Sequence, residues 1–267
     1  MEKKRLVLTL TTLILACFAL PTFIFADGKI TDEAIKTNNI AEVKKAIENG
    51  ADVNAELFNG VSILLRTIAV GSSEMAKLLI DKGADIQVKS NFGTTALMAA
   101  AKSGKVEIAR LLIERGVDVN AKENVDRGVH TALHYCALGY CQGKNKKDFF
   151  EIVKLLVDNG ADINRKSAIG GSPLLYAASC SFLEMAKLLI EKGADVNEKT
   201  EEGITPLIVS VKSGICPPGG SLDVAKLLIE KGADVNAKSK YGFTALIMAE
   251  HTGNSEMVTL LKKHGAK

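Results

Sequence analysis

One short stretch, Gly-Ala-Asp-Val-Asn at residues 50–54, constrains this chain most, because it returns along the sequence with the same apolar segment in front of it. The returns begin at Gly83, Gly116, Gly160, Gly193, Gly232 and, in truncated form, Gly265. Their spacings are 33, 33, 44, 33, 39 and 33 residues, so a unit of 33 residues is lengthened twice, by 11 and by 6 residues. A fixed period of this length predicts a stack of repeated units, each of which covers its neighbour.

Each unit is predicted to contain two helices. A Ser or Thr starts the first helix, because its hydroxyl can accept a hydrogen bond from an amide of the first turn. These caps are Ser62, Thr95, Thr131, Ser172, Thr205 and Thr244. The second helix runs through segments such as residues 74–80, where Met75, Leu78 and Leu79 share one face at i, i+3 and i+4 spacing. The recurring Gly ends this helix in the left-handed conformation, and the Asp and Asn side chains brace the following turn.

A second set of glycines lies two residues before most of the caps and marks the tip of a tight hairpin. The set consists of Gly60, Gly93, Gly170, Gly203 and Gly242.

Together these motifs resemble the ankyrin repeat, with its T-P-L-H-x-A core, over essentially all of the chain after residue 28. The resemblance implies an all-α repeat solenoid of helix-turn-helix units joined by β-hairpin loops, about seven units including two polar caps. One departure is that the His of the motif survives only as His134. Its counterparts are Leu65, Met98, Leu175, Ile208 and Ile247.

The repeat domain is predicted to span residues 27–267, in units 28–54, 55–87, 88–120, 121–164, 165–197, 198–236 and 237–267. The longest unit has three extra residues in its hairpin, within 124–128, and eight in its inter-helix turn, at 140–147. The other long unit has six extra residues in the turn at 214–220. Such insertions lie on one side of a repeat stack, where they either carry function or are tolerated surface loops.

Residues 1–26 are a separate element, in which Lys3, Lys4 and Arg5 precede an uncharged, largely apolar run from Leu6 to Phe25. This pattern predicts a signal peptide that is cleaved before Asp27. Two alternatives are an uncleaved membrane anchor and a lipoprotein modified at Cys17. All three place the repeats outside the cytoplasm, in the periplasm or secreted.

Charge and motifs limit the function. The chain has 34 Lys and Arg against 31 Asp and Glu, and removal of residues 1–26, which hold three basic residues and one acidic residue, leaves 31 against 30. A near-zero net charge argues against nucleic acid or an anionic membrane as the partner. The sequence contains no HExxH, Walker, Gly-x-Ser-x-Gly or Rossmann motif, so we expect a non-enzyme without a cofactor.

The histidines and cysteines offer one cluster of metal-ligand types, made of His130, His134, Cys136 and Cys141. Their positions in the repeat predict that they point in different directions, so no metal site is expected. Cys136 stands where other units have Ala and is predicted to be a small buried thiol. Cys141, Cys180 and Cys216 fall on the same side of the stack, and a bridge from Cys180 to Cys216 is favoured over one from Cys180 to Cys141.

The resemblance implies that hairpin tips and first-helix faces form a concave surface that binds another protein. The expected tip residues are Phe58, Phe92, Ile169, Glu201, Glu202 and Tyr241. The flanking first-helix residues are Lys102, Leu138, Ser179, Lys212 and His251. We expect a monomer that binds a protein partner as a scaffold, or as an inhibitor or protector of a periplasmic enzyme. The alternatives are a secreted effector that binds host proteins, and an enzyme with groups converging in a cleft.

Overall fold

The computed structural model of the protein describes residues 29–57, 60–70, 72–123, 130–142, 145–211 and 221–267. In these ranges the chain forms fourteen α-helices and no strand beyond two isolated antiparallel bridges, Glu56 to Ser62 and Lys89 to Thr95. None of the helices in this part of the chain has the length and apolarity needed to cross a membrane. The predicted signal peptide, Phe58, Lys212, the hairpin insertion at 124–128 and the turn at 214–220 lie outside the described residues.

The helices follow one another as pairs. The first pair is α1 (Asp32–Lys36) and α2 (Ile40–Glu48), and repeats two and three contain α3 (Ile63–Val70) with α4 (Ser73–Asp81) and α5 (Ala96–Ser103) with α6 (Val106–Glu114). Repeats four and five contain α7 (Ala132–Gln142) with α8 (Lys146–Asp158) and α9 (Pro173–Ser179) with α10 (Leu183–Glu191). Repeats six and seven contain α11 (Pro206–Val211) with α12 (Leu222–Glu230) and α13 (Ala245–His251) with α14 (Ser255–Lys263).

The chain divides into two compact units, one that ends at Val53 and one that spans Asn54–Lys267. The first unit contains α1 and α2, whose starts are capped by the side chains of Thr31 and Asn39. In the second unit each first helix packs against the second helix of its own repeat and against a first helix of a neighbouring repeat. Buried side chains such as Leu97, Leu112 and Leu133 fill the space between them.

The predicted caps are present in five of the six repeats. The hydroxyls of Ser62, Thr95, Ser172, Thr205 and Thr244 each accept a hydrogen bond from the backbone amide three residues later. Repeat four differs, because Nδ1 of His134 accepts a hydrogen bond of 3.1 Å from the backbone N–H of Thr131. The imidazole therefore satisfies an amide at the start of α7.

Both sets of glycines adopt the conformation that their positions predict. The seven helix-ending glycines have φ between 79° and 95°, and the five tip glycines have φ between 70° and 80°. L-residues with a Cβ rarely adopt this left-handed conformation, which explains why glycine recurs at both places.

The Asp and Asn of the recurring stretch have two different tasks. Five of the Asp residues brace their own turns, as Asp118 does when its carboxylate accepts from the N–H of Asn120 at 2.8 Å. Four of the Asn residues reach the next repeat. Asn120 donates to the carbonyl of Gly160 at 3.0 Å and accepts from the N–H of Asp162 at 2.7 Å. Asn54, Asn197 and Asn236 make the same pair of contacts.

The predicted long turn at 140–147 is wrong, because most of the insertion is helical. Helix α7 has 11 residues against 8 in α5, and α8 has 13 against 9 in α6. The reason is aromatic packing: the ring of Tyr140 stacks on Phe182 of repeat five with centroids 3.7 Å apart. In addition, Nζ of Lys146 lies 4.7 Å from the Tyr140 centroid, and Phe149 is buried. Burial of these rings favours longer helices over an exposed loop.

Candidate functional site

The turn tips expose large apolar side chains at one repeated position. Phe92 is 64% exposed, Ile169 is 60% exposed and Tyr241 is 68% exposed. Each precedes a left-handed glycine in a turn closed by a backbone hydrogen bond, as from Gly93 N to the carbonyl of Ser90 at 2.8 Å. These side chains therefore stand on rigid turns and lie mostly in solvent.

Neighbouring turns lie side by side. The N–H of Lys240 donates to the carbonyl of Glu202 at 2.8 Å, which joins the turns of repeats six and seven. A Cβ on Gly170 would meet the backbone of Thr200 and Glu201, so the turns of repeats five and six are also in close contact. The side chains of Glu201 and Glu202 are exposed beside this contact.

The predicted first-helix residues are not all brought together with the tips. Lys102 is exposed, and its Nζ lies 5.6 Å from the centroid of the Tyr135 ring. Leu138 and Ser179 are half-buried, whereas His251 is exposed. Among the predicted first-helix residues that the structure describes, His251 is the one that joins the predicted tip residues Glu202 and Tyr241 around one cavity.

This cavity, which we call the apolar groove, has a volume of about 590 Å³ and lies between repeats six and seven. It is lined by Glu202, Ile204, Ile208, Val209, Ser239, Tyr241, Phe243, Ile247, Met248 and His251. Six of these residues are aliphatic, Met or Phe side chains that the sequence analysis did not assign to a site. The sequence did contain a signal for this apolar wall. The His of the motif is replaced by Ile208 and Ile247, which removes the polar group from this position in both repeats.

The groove is more exposed at repeat seven than the same positions are in the other repeats. At the motif-His position Leu65, Met98, Leu175 and Ile208 are buried, whereas Ile247 is 44% exposed and Phe243, just before the cap, is 47% exposed. Among the described helices α13 packs against α11 and α14. The described residues therefore leave this apolar surface open to solvent.

The same positions of repeat four hold polar side chains, which form a partly buried polar cluster with one residue from each neighbouring repeat. The polar cluster is made of Glu123, His130, His134 and Tyr135 of repeat four, Thr94 of repeat three and Tyr176 of repeat five. Glu123 is buried, and its Oε1 accepts from the hydroxyls of Thr94 and Tyr135, each at 2.7 Å. Its Oε2 lies 3.5 Å from Nδ1 of His130, whose Nε2 is 2.8 Å from the hydroxyl of Tyr176. The polar cluster therefore joins repeats three, four and five through hydrogen bonds.

His134 is buried in this cluster as a neutral imidazole. Its Nδ1 accepts from Thr131, so its proton resides on Nε2, which donates to the carbonyl of Gly171 at 3.3 Å. Burial, and secondarily the neighbouring His130, lowers the pKa of His134 to about 4. Burial, and then the contact with Glu123, raises the pKa of Tyr135, so its phenol remains a hydrogen-bond donor at neutral pH.

The prediction that the histidines point in different directions is wrong, because the rings of His130 and His134 meet edge to face with centroids 5.7 Å apart. They are held there by the hydrogen bonds to Tyr176 and Thr131. In the ranges that the structure describes, no three His, Cys, Asp or Glu side chains are placed to hold a metal ion.

The cysteines also differ from one of the predictions. Cys136 is a free, buried thiol, as its position in the repeat predicts. Cys180 is free and buried as well, so the favoured bridge from Cys180 is wrong: its thiol lies in the core at the end of α9. Burial raises the pKa of Cys180 to about 12. Cys141 is disulfide-bonded, and Cys216 lies outside the described residues.

Comparison with known proteins identifies the fold. Among solved structures, the crystal structure of the human ASB11 ankyrin repeat domain is similar, with a TM-score of 0.73 and 24% sequence identity over 88% of this chain and 97% of that chain. At this identity the similarity shows the fold. No curated protein sequence matches the chain. A family model described as ankyrin repeats in three copies matches residues 32–123, 88–167, 133–239 and 198–267. Since these matches together cover most of the sequence and agree with the observed helix pairs, the chain belongs to the ankyrin-repeat family.

Proposed function

We propose that this protein is a non-enzymatic protein-binding module that acts outside the cytoplasm and contacts its partner through the turn tips and the first-helix face. The observation that carries the proposal is the exposure of Phe92, Ile169 and Tyr241, which exceeds half of each side chain at one repeated position. Ankyrin repeats generally serve as protein-interaction modules, and this family membership supports a protein as the partner.

The physical argument concerns the free energy of exposed apolar surface. Contiguous exposed apolar patches are uncommon on soluble proteins, and they mark surfaces that another molecule covers. Aromatic side chains on rigid supports lose little conformational entropy on binding and often dominate interface energy, at roughly 2 kcal/mol or more each. Phe92 and Tyr241 meet this description because their turns are closed by backbone hydrogen bonds.

The proposed location rests on the sequence of residues 1–26 and on the disulfide at Cys141, since disulfides persist mainly in oxidising compartments. Intact-mass measurement on protein isolated from its own organism tests it. Loss of residues 1–26 supports export, a retained segment means an anchor, and a lipid adduct on Cys17 means a lipoprotein.

Recovery from the envelope fraction favours an inhibitor or protector of a periplasmic enzyme. Recovery from the culture supernatant favours an effector that binds host proteins.

Site-specific photo-crosslinking tests the binding surface. A photoreactive phenylalanine replaces either Phe92 or Tyr241, and as matched controls it replaces Lys77 or Lys187, which are exposed on second helices. We expect both tip positions to crosslink the same partner in the native organism and both second-helix positions to leave it free. If the second-helix positions crosslink that partner and the tips do not, the binding surface is on the opposite face and the proposal is wrong.

A further inference from the structure

We infer that the apolar groove of repeats six and seven binds a peptide segment of a partner protein that carries neighbouring apolar side chains and a Lys or Arg. This inference rests on the proposed function and names the chemistry of the partner at one part of the surface. It arises from two independent features of the groove, its apolar wall and the sign of the charge at its rim.

The apolar wall is continuous across two repeats. Ile204 and Ile208 contribute from repeat six, and Phe243, Ile247 and Met248 contribute from repeat seven. The volume of about 590 Å³ lies within the range of roughly 300–1,000 Å³ that is typical of sites for small ligands. A groove of this size accommodates a few side chains of a peptide, whereas a whole protein face would need a larger and flatter surface.

The rim supplies a charge of one sign. Glu202 is the single carboxylate among the lining residues, and the lining contains no Lys or Arg. Glu201 is exposed next to it in the same turn. Within the described ranges neither carboxylate forms an ion pair, in contrast to Glu250, which pairs with Lys262 at 2.9 Å. Lys240 is exposed on the adjacent turn but does not line the groove.

These two features select the partner. Apolar side chains that enter the groove remove Ile247 and Phe243 from water, and this burial favours association. Because the hydrophobic effect is non-directional, it does not select the orientation of the bound peptide. A cationic side chain of the peptide is attracted to Glu202, and this contact fixes which way the peptide lies. An anionic side chain at the same place would be repelled by the unpaired carboxylate. An acidic or purely apolar segment gains less from the same groove.

A displayed peptide library tests the inference. The full chain is immobilised, and a phage-displayed library of random dodecapeptides is selected on it. Counter-selection on the Ile247→Asp variant removes peptides that bind outside the groove. We expect the selected sequences to be enriched in apolar residues together with Lys or Arg. Enrichment of Asp or Glu, or a failure to select any sequence that distinguishes the two chains, overturns the inference.

Synthetic peptides then separate the two features. For the best selected peptide and for its Lys→norleucine analogue, affinities are measured by fluorescence anisotropy with the wild-type, Ile247→Asp and Glu202→Gln chains. We expect Ile247→Asp to weaken both peptides about tenfold or more. Glu202→Gln should weaken only the Lys peptide, by about fivefold, and should remove most of its salt dependence. If Glu202→Gln weakens both peptides equally, the Lys of the peptide does not contact Glu202, and this part of the inference is overturned.

The controls distinguish this inference from the proposed function. Lys226→Ala, on the exposed face of α12, should leave every affinity unchanged, and circular dichroism should show that Ile247→Asp chain is folded. If wild-type chain dimerises in sedimentation analysis and Ile247→Asp chain does not, the groove belongs to a second copy and the inference is overturned. If position 92, where Phe92 does not line the groove, still crosslinks a partner in that case, the proposed function stands, whereas loss of crosslinking at position 92 as well removes the function itself.

Discussion

Repeats four and seven place opposite chemistry at the same positions of the same backbone. Just before the cap, repeat four has His130 and repeat seven has Phe243, and at the motif-His position His134 is matched by Ile247. His130 and His134 belong to the partly buried, hydrogen-bonded polar cluster. Phe243 and Ile247 line the open apolar groove. The difference shows that the first-helix face can either lock neighbouring repeats together or remain available to another molecule.

Glu123 shows why the polar cluster is structural. It occupies the position that is Ser90, Ser167 and Ser239 in other repeats, where Ser90 and Ser239 brace their own turns with a hydroxyl. With its longer side chain Glu123 reaches Thr94 of the preceding repeat as well as Tyr135 of its own. A buried carboxylate is tolerated here because its oxygens have partners.

The largest expected effect comes from removal of that carboxylate. Glu123→Ala leaves the partly buried hydroxyls of Thr94 and Tyr135, and the His130 ring, without their acceptor. We therefore expect the free energy of unfolding to fall by about 3 kcal/mol. Glu202→Ala, at the exposed rim of the groove, should change it by less than about 0.5 kcal/mol. Urea unfolding followed by circular dichroism measures both. Similar losses for the two variants would contradict the contrast between a structural cluster and a binding groove.

The second prediction concerns pH. The pKa of His134 is lowered in the folded state to about 4 from its ordinary value of 6.5, so between these values the unfolded chain binds the extra proton. Stability should therefore fall as the pH drops through this window, by about 2 kcal/mol between pH 6.5 and pH 4.5 from this group.

The control for the pH prediction is His134→Leu, since Leu occupies this position in repeats two and five. The variant should be less stable at neutral pH, because the N–H of Thr131 loses its acceptor, but its stability should depend less on pH over the same window. Denaturant titrations of both chains at several pH values provide the comparison. Parallel pH profiles would mean that His134 is accessible to protons in the folded protein.

A third prediction tests whether the difference between the repeats is confined to the turn and first-helix face. Asn120 and Asn197 make the same two hydrogen bonds to the following repeat. Asn120 thereby joins repeats three and four, the second of which holds most of the polar cluster, and Asn197 joins repeats five and six, the second of which contributes to the groove. Replacement of either by Ala should lower the free energy of unfolding by about 1–2 kcal/mol. Asn164 is the control, because none of the hydrogen bonds in the described part of the chain comes from its side chain, and Asn164→Ala should be nearly silent. If the two variants lose clearly unequal amounts of the free energy of unfolding, the repeats of the polar cluster and those of the groove differ in these turns as well.

The smallest expected effect is at the tips. Phe92→Ala and Tyr241→Ala remove side chains that lie mostly in solvent, so each should change the free energy of unfolding by less than about 0.5 kcal/mol. Thermal unfolding of the double variant checks this directly. A melting point several degrees lower would show that the tip rings stabilise the fold, and their exposure would then no longer support a binding surface.

Much of the fold was predictable because it depends on local chemistry that recurs. The left-handed glycines, the hydroxyl caps and the i, i+3, i+4 apolar faces each act within a few residues, so their positions in the sequence predict the ends and faces of the helices. The tip residues Phe92, Ile169 and Tyr241 were predicted for the same reason, since they hold a fixed place before a turn glycine.

The remaining features depended on residues that are distant in sequence. The insertion near Tyr140 became helical because Phe182 of the next repeat covers its ring, and Cys180 stayed a free thiol because the core encloses it. His130 and His134 came together because Tyr176, more than forty residues later, provides the hydrogen bond that orients His130.

The sequence by itself determined the repeat, its register and the turns on which the exposed side chains stand, because each of these follows from a local backbone preference. Only the tertiary structure decided which first-helix positions are enclosed and which stay open. That outcome depends on the side chains that the neighbouring repeat presents, Glu123 and Tyr176 around His130 in one place and the open face beside Ile247 in the other.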